Sequence, residues 1–171
     1  MARKANLTLV SDNAEPAEPL INVNGFVDAA AAAEYTTAGH ATITLESRRT
    51  GNHFTYQVNR AKNTDGSPAN RWFVGVLSGP DNDSDYSYIG LLETKTGGSL
   101  FRQTAKARFK ADAPCVKGFV YFWSHVDRGH LPSDMIVRHN GSCGRCGRTL
   151  TVPASIERGL GPECAGKVGF V

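Results

Sequence analysis

Residues 41–60 read ATITLESRRTGNHFTYQVNR, and this stretch decides the fold class. Apolar side chains alternate in both halves, with Ile43 and Leu45 in the first and Tyr56 and Val58 in the second. A period of two is the pattern of a half-buried strand, and the polar RRTGN between the halves is typical of a turn. The stretch therefore predicts a β-hairpin and, with it, an antiparallel sheet.

Further strands are predicted downstream of the hairpin, separated by polar turns such as SGPDNDSD and KTGG. They are RWFVGVL (71–77), YSYIGLL (86–92) and SLFRQT (99–104), and MIVRH (135–139) predicts a short strand leading into the C-terminal segment. Connections this short join neighbouring antiparallel strands. We therefore expect a meander of about five strands.

Two helices are predicted around this sheet. Asp28 is a suitable N-cap for a short alanine helix that Gly39 would end. Residues 112–132 place apolar side chains at helical spacing, with Asp112 and Pro114 at the start and Gly129 and Pro132 at the end. The predicted stripe is Val116, Phe119, Val120, Trp123 and Val126. A sheet with one apolar face needs a cover, so the fold class is α+β, an antiparallel sheet covered by this one helix.

The 171 residues suit one domain with a small appendage, and 40% of them are apolar, which is enough for a core. We divide the chain into a flexible segment (1–20), an α+β domain (21–134) and a zinc-binding module (135–171). No apolar stretch is long enough to span a bilayer, and the start lacks the pattern of a secretory signal. A cytoplasmic protein without a membrane partner is expected, in a compartment that keeps thiols reduced.

Three of the four cysteines lie in the segment HNGSCGRCGRTLTVPASIERGLGPEC, residues 139–164. A redox CxxC opens a helix, whereas GRTLTVP follows Cys143 and Cys146 here. Glycine after each of them allows the tight turn of a zinc knuckle, and Cys164 supplies a third thiolate. The cysteines therefore predict a structural Zn²⁺ site in a small treble-clef-like module.

The fourth zinc ligand has several candidates. His139, just upstream of the CxxC, is the favoured one and gives a Cys3His set with Cys143, Cys146 and Cys164. The competitors are Cys115, His125 and His130, although a cysteine near an apolar stripe often serves as a small hydrophobic residue. A closed site of four protein ligands supports folding and leaves no water to activate.

The pattern H-x3-C-x-x-C-G-R-x-L-T-x-P-x-S-I-x-x-G-x-G-P-x-C resembles the C-terminal zinc module of a family of uncharacterised bacteriophage proteins. The upstream stretches TLESRRTGNHFTYQV, FVGVLSGPDNDSDYSYIGLL and DAPCVKGFVYFW also resemble the β-rich region before that module. The resemblance covers about residues 41–166 and implies a phage or prophage origin. It places His139, Cys143, Cys146 and Cys164 on the ligand-like positions, and it implies no particular activity.

The charge is distributed unevenly along the chain. Residues 1–94 carry 7 Lys/Arg and 11 Asp/Glu, a net −4, whereas residues 95–171 carry 12 and 5, a net +7. The basic half is a candidate contact surface for nucleic acid, and a merely solvated surface is the alternative. The candidate contact residues are Arg102, Lys106, Arg108, Arg138, Arg145, Arg148 and Arg158.

Asp81, Asp83 and Asp85 alternate as in the opening of a calcium loop. The loop pattern then fails, because Tyr86 replaces the required glycine and Leu92 the final glutamate. An acidic turn in which Asp side chains bond their own backbone is the favoured interpretation. We keep the three aspartates as a candidate acidic contact loop.

No nucleophile motif such as GxSxG and no glycine-rich phosphate loop is present in the sequence, so an enzyme is not expected. The predicted function is that of a phage accessory protein in the host cytoplasm, which binds nucleic acid or a nucleoprotein complex through its basic C-terminal half. The alternative is an inhibitor of a bacterial host protein or defence complex, such as a CRISPR effector, acting by protein–protein contact.

Overall fold

The computed structural model describes residues 24–168. The expected flexible segment, residues 1–20, lies outside the described residues. Among residues 24–168, no helix combines the length and the apolar character needed to span a bilayer.

The alternating segments form one antiparallel sheet of six strands in the order β5-β4-β3-β2-β1-β6. The hairpin prediction is confirmed, with Ile43 facing Tyr56 across the first pair. The strands are β1 (His40–Ser47), β2 (His53–Lys62), β3 (Pro68–Leu77), β4 (Tyr86–Lys95), β5 (Gly98–Arg102) and β6 (Met135–His139).

The count of about five strands is corrected to six by the position of β6. This strand pairs with β1, with Ile43 facing His139 and Ser47 facing Met135. The alternation of its side chains predicts a strand. Its partner β1 is nearly a hundred residues away, so no local turn indicates that these two strands pair. The first residues assigned to the C-terminal module therefore belong to the sheet, as its edge strand.

The helices are α1 (Ala29–Thr37), α2 (Pro114–Val126), α3 (Pro153–Arg158) and α4 (Pro162–Ala165). The predicted cap of α1 is confirmed, because Asp28 Oδ1 accepts a hydrogen bond of 2.7 Å from the Ala31 backbone N–H. α1 contacts both β1 and α2, so two helices cover the sheet where the sequence predicted one.

The apolar stripe of α2 is rotated slightly from the prediction. Phe119 and Trp123 are buried as expected, but Val120 is 45% exposed and Phe122 is fully buried in its place. Periodicity predicts a stripe, whereas the flank that is covered depends on the elements packed against it. The N-cap is Ala113, with no side-chain hydrogen bond, so Asp112 does not cap this helix.

The core lies between the helices and the inward face of the sheet. Tyr56, at its centre, is fully buried and donates a hydrogen bond of 2.6 Å to the backbone carbonyl of Cys115 at the start of α2. Its neighbours Ile43, Val58 and Val74 are also fully buried. The opposite face of the sheet is the open face, and on it Phe73 of β3 is 49% exposed.

Candidate metal centre

Three cysteines converge beside the C-terminal end of α1. Cys143 and Cys146 lie in the turn after β6, and Cys164 lies in α4; their Sγ atoms are all within 4.8 Å of one another. Cys143 and Cys164 are buried, whereas Cys146 is exposed. We call these three residues the cysteine cluster.

The turn that carries Cys143 and Cys146 is held by its own backbone. The Gly147 N–H donates to the Cys143 carbonyl at 2.9 Å, and the Cys143 N–H donates to the Arg148 carbonyl at 2.8 Å. Gly147 has φ +74°, a left-handed conformation that a residue without Cβ adopts at little cost. The glycine after the second cysteine therefore has the role expected of it in a knuckle.

The backbone around the cluster favours a thiolate at Cys143. Burial acts to raise the pKa of this thiol, but the backbone N–H groups of Gly161, Cys146 and Arg145 point at the sulfur and lower its pKa to about 7. Hydrogen bonds to the charged form are what a buried metal-ligating thiolate needs. At Cys164, burial dominates and raises the pKa of the thiol.

The donor set fits a thiophilic metal ion. An ion with Zn–S bonds of 2.3 Å would bring the sulfur atoms to about 3.8 Å apart, a short movement from the arrangement described here. Three thiolates suit zinc better than a hard cation such as Ca²⁺, which prefers oxygen. The cluster supplies three protein ligands, so the expected closed set of four is incomplete.

His139, the favoured fourth ligand, is not part of the cysteine cluster in this structure. Its Nε2 donates to the Ile156 carbonyl at 2.6 Å, and its Nδ1 accepts from the Gly141 N–H at 3.0 Å. Both ring nitrogens are thus engaged by backbone, and the buried ring packs against Phe26 and Tyr35. The spacing in the sequence brings His139 near Cys143 but does not predict that its position on β6 turns the ring into the core.

The competing ligands also lie elsewhere. Cys115 is buried at the start of α2, where burial raises the pKa of its thiol and leaves it as a small apolar side chain. His125 and His130 lie against each other near the end of α2, with ring centroids 4.9 Å apart. None of these three belongs to the cysteine cluster.

Tyr35 of α1 attaches the residues after β6 to the rest of the protein. We call residues 141–168 the cysteine segment. The ring is fully buried, and its hydroxyl lies 3.2 Å from the Thr42 carbonyl and 3.3 Å from Asn140 Oδ1. A Cβ at Gly144 would come within 2.7 Å of this ring, and one at Gly159 within 2.4 Å. Two glycines therefore allow the segment to close around Tyr35.

The expected basic contact residues do not form one free surface. Three of them make ion pairs, Arg102 with Glu93, Arg138 with Glu46 and Arg158 with Glu34. Of the other four, Lys106 and Arg108 lie after β5, whereas Arg145 and Arg148 lie in the cysteine segment. Pairing with acids from the first half of the chain could not be predicted from local sequence.

A groove of about 860 Å³ lies between the ends of β2 and β3, the end of α1 and the cysteine segment. Its lining includes four cations, Arg60, Lys62, Arg145 and Lys167, and no Asp or Glu among residues 24–168. We call this the basic groove. The sequence does not indicate Arg60 and Lys62 as part of this surface, because they lie in the net-negative half of the chain and only the fold of β2 brings them to the cysteine segment.

Trp72 forms part of the groove wall and orders one of its cations. The Arg60 guanidinium lies over the indole ring at 5.1 Å, and Arg60 Nε donates to the Ala69 carbonyl at 2.7 Å. The indole N–H donates to the Thr37 carbonyl at 3.0 Å. The cation is therefore held in place without being neutralised by an acid.

The acidic turn of Asp81, Asp83 and Asp85 bonds its own backbone. Asp81 Oδ1 accepts from the Asp83 N–H at 2.8 Å, and Asp85 Oδ2 accepts from the Asp81 N–H at 2.9 Å. The Asp83 N–H is also the main cause that lowers the pKa of Asp81. These bonds agree with the turn interpretation; contact with a partner stays a prediction.

The fold and the site define a small α+β protein with a three-cysteine cluster after its last strand. Residues 137–169 match the model of a family of unknown function, DUF6011. The match covers about a fifth of the chain, from the middle of β6 through the cysteine cluster, and carries no information on phage origin or activity. No curated protein and no solved structure matches the chain.

Proposed function

We propose that this protein binds nucleic acid through the basic groove, without catalysing a reaction. The observation that carries the proposal is the groove itself, in which four cations from separate parts of the chain converge without an acid in its lining. Bringing like charges together costs free energy, and an anionic ligand offsets that cost. A polyanion with regularly spaced phosphates can contact all four cations at once.

The cysteine cluster has a structural role in this proposal. Arg145 lies between Cys143 and Cys146, and Lys167 follows Cys164, so a bound Zn²⁺ would hold both cations at one wall of the groove. The treble-clef-like description belongs to the same proposal, since a knuckle followed by a short helix with the third cysteine supports it. The protein would act in the cytoplasm, where free thiols remain available for a metal.

Charge reversal of Lys62 and Lys167 together tests the proposal. Both side chains are exposed, and unlike Arg145, whose Nη1 lies 4.0 Å from Cys164 Sγ, neither contacts a cysteine sulfur. We expect Lys62→Glu/Lys167→Glu to weaken binding to a 20-nucleotide DNA strand and to reduce the slope of log K against log salt by about 1.4. Fluorescence anisotropy across a salt series measures both quantities.

The matched control is Arg48→Glu/Arg49→Glu, which changes the net charge equally in the exposed β1–β2 turn, at the far end of those strands from the groove. Affinity that falls equally in both double variants would indicate only general electrostatics and would reject the groove. No binding of DNA or RNA by the wild-type protein, together with specific capture of a bacterial host protein, would instead favour the inhibitor hypothesis. A role in phage infection stays a prediction of the sequence pattern.

A further inference from the structure

The open face of the sheet carries aromatic side chains that the basic groove does not use. On β3, the residues that alternate with the buried Trp72, Val74 and Val76 point to this face. Phe73 is one of them, and half of its side chain is accessible to solvent. An exposed phenylalanine ring lacks the stabilisation that comes from burying apolar surface. A ligand that covered the ring would supply that stabilisation.

Phe73 belongs to a group of rings on adjacent strands. Its ring centroid lies 6.2 Å from that of Tyr88 on β4, and the two planes meet at 65°. The Thr104 hydroxyl donates to the Tyr88 hydroxyl at 3.2 Å and so restrains this ring. Tyr86, which pairs with Leu77, continues the row. We call Phe73, Tyr86 and Tyr88 the aromatic patch.

Positive charges flank the patch at Phe73 and Tyr88. Arg71 is exposed on the same face, two residues before Phe73, and its cross-strand partner Glu93 makes an ion pair with Arg102, so the cations outnumber the acid here. The backbone N–H of Arg108 donates to the Tyr88 carbonyl at 2.9 Å, which brings the exposed residues Lys106 and Arg108 next to the strand that carries this ring. Rings and cations that lie together are the combination by which proteins hold bases and phosphates of an unpaired strand.

The other end of the patch is negative. Burial raises the pKa of Tyr86, and the nearby Asp83 carboxylate raises it further. The acidic turn follows directly beyond this ring and would repel phosphates. The charge along the patch therefore runs from positive to negative, and a polyanion is favoured only near Phe73 and Tyr88.

We propose that Phe73 and Tyr88 stack against the bases of single-stranded nucleic acid whose phosphates contact Arg71, Lys106 and Arg108 beside the patch. The inference rests on the proposed function and deepens it by naming the ligand class. The basic groove and the patch lie on opposite faces of the sheet, because Trp72 lines the groove and its neighbour Phe73 points to the open face, so a strand bound at both passes around the ends of β2 and β3. Duplex bases are paired and stacked on one another, so their faces are not free for these rings.

Two oligonucleotides of equal charge separate stacking from phosphate contact. One is a 20-nucleotide oligothymidine, and the other has the same backbone with abasic sites in place of the bases. We expect the full 171-residue chain to bind the thymidine strand more tightly. The variant Phe73→Ala should lose about 5- to 150-fold in affinity for the thymidine strand, with affinity for the abasic strand and the salt slope unchanged.

Val120→Ala is the matched control, because Val120 is an exposed apolar residue on the opposite side of the protein. It should bind both strands as the wild type does. Phe73→Trp should retain the preference for bases, since a larger ring also stacks. Thermal unfolding of each variant checks that the fold is intact; truncation of a half-exposed ring costs little burial.

The failures of the two proposals are distinguishable. Equal affinity for the thymidine and abasic strands, or an unchanged preference in Phe73→Ala, overturns stacking but leaves the groove intact. Absence of binding to either strand overturns both proposals. A concentration-dependent dimer that Phe73→Ala abolishes would assign the patch to a second copy of this chain and would also overturn the inference.

Discussion

At the scale of single residues, the cysteine cluster joins three thiols with unequal surroundings. Backbone N–H groups lower the pKa of Cys143, burial raises that of Cys164, and Cys146 is exposed to solvent. A metal ion bound there would contact one exposed and two buried ligands. The exposed thiol is therefore the one whose replacement removes a ligand with the least effect on packing.

Replacing Cys146 with serine is expected to release the metal. A serine hydroxyl is a poor zinc ligand, and two remaining thiolates do not hold the ion tightly. Mass spectrometry of the native protein should show about one zinc per chain in the wild type and none in Cys146→Ser. The control Cys115→Ser removes the thiol in α2 and should keep the metal; equal zinc content in all three proteins would reject the site.

Replacing His139 with glutamine tests whether this residue belongs to the ligand set. The variant should retain the metal, because both ring nitrogens of His139 bond backbone groups and the residue is not part of the cluster. It should lose about 1–3 kcal/mol of unfolding free energy, since the Ile156 carbonyl loses a well-placed donor. Zinc loss without a change in fold would show that His139 is the fourth ligand after all.

His139 also predicts a dependence of stability on pH. Burial lowers the pKa of this imidazole below its usual value of 6.5, although the bond to the Ile156 carbonyl opposes the shift. Above pH 6.5 the ring is neutral in both states and its full contribution is present. Below that pH the unfolded chain takes up the proton first, so the unfolding free energy falls, by up to about 1.4 kcal/mol per pH unit. Denaturant unfolding between pH 7.5 and 5 should show this slope in the wild type and a shallower one in His139→Gln.

At the scale of elements, the contact between α1 and the cysteine segment depends on how closely backbone approaches Tyr35. Gly144 and Gly159 lie against its ring at distances that exclude a Cβ. The tyrosine hydroxyl meanwhile contacts β1 and the turn after β6. One side chain thus joins the helix, the sheet and the cysteine segment.

Gly159→Ala is expected to loosen the cysteine segment. The alanine Cβ would come within 2.4 Å of the Tyr35 ring, in addition to the strain of φ +74°. Gly51 has nearly the same φ, +71°, but has nothing within 4 Å of its Cβ position, so Gly51→Ala isolates the strain. The collision should cost about 1–3 kcal/mol more than the control. Urea unfolding measures the difference, and equal losses in the two variants would contradict a close contact at Tyr35.

Local patterns predicted most elements and few of the contacts between them. The hairpin, the cap at Asp28 and the start of α2 at Pro114 depend on residues close in sequence, so their signals are visible there. The position of β6 beside β1, the burial of His139 and the meeting of Arg60 with Arg145 depend on residues far apart. The three cysteines were recognisable because a metal site requires specific side chains at restricted spacing, whereas the fourth ligand depends on how the chain folds around them.

At the scale of the whole molecule, a bound metal would stabilise one part of the protein more than the rest. The sheet and α2 share one large core, whereas Cys143, Leu160 and Cys164 form a separate small cluster with Ala38. Four buried residues provide little hydrophobic stabilisation. A metal ion bound by the three cysteines would add to the attachment that Tyr35 provides.

Removal of the metal with a chelator is expected to affect the two parts differently. Backbone amides of residues 141–168 should lose protection from hydrogen exchange, while those of β2, β3 and β4 keep theirs. The basic groove would lose one wall, so nucleic-acid affinity should fall together with the protection. Uniform loss across the whole chain would show instead that the metal supports the main core.

The pairing of β6 with β1 also has a consequence for the order in which the protein assembles. The first five strands are joined by short turns and can pair as soon as each leaves the ribosome, whereas β6 must close a loop of nearly a hundred residues onto β1. Until then β1 is an unprotected edge able to recruit strands from other chains. Pairing of β6 with β1 and capture of a metal by the cysteines after it thus become later steps of assembly than the pairing of the first five strands.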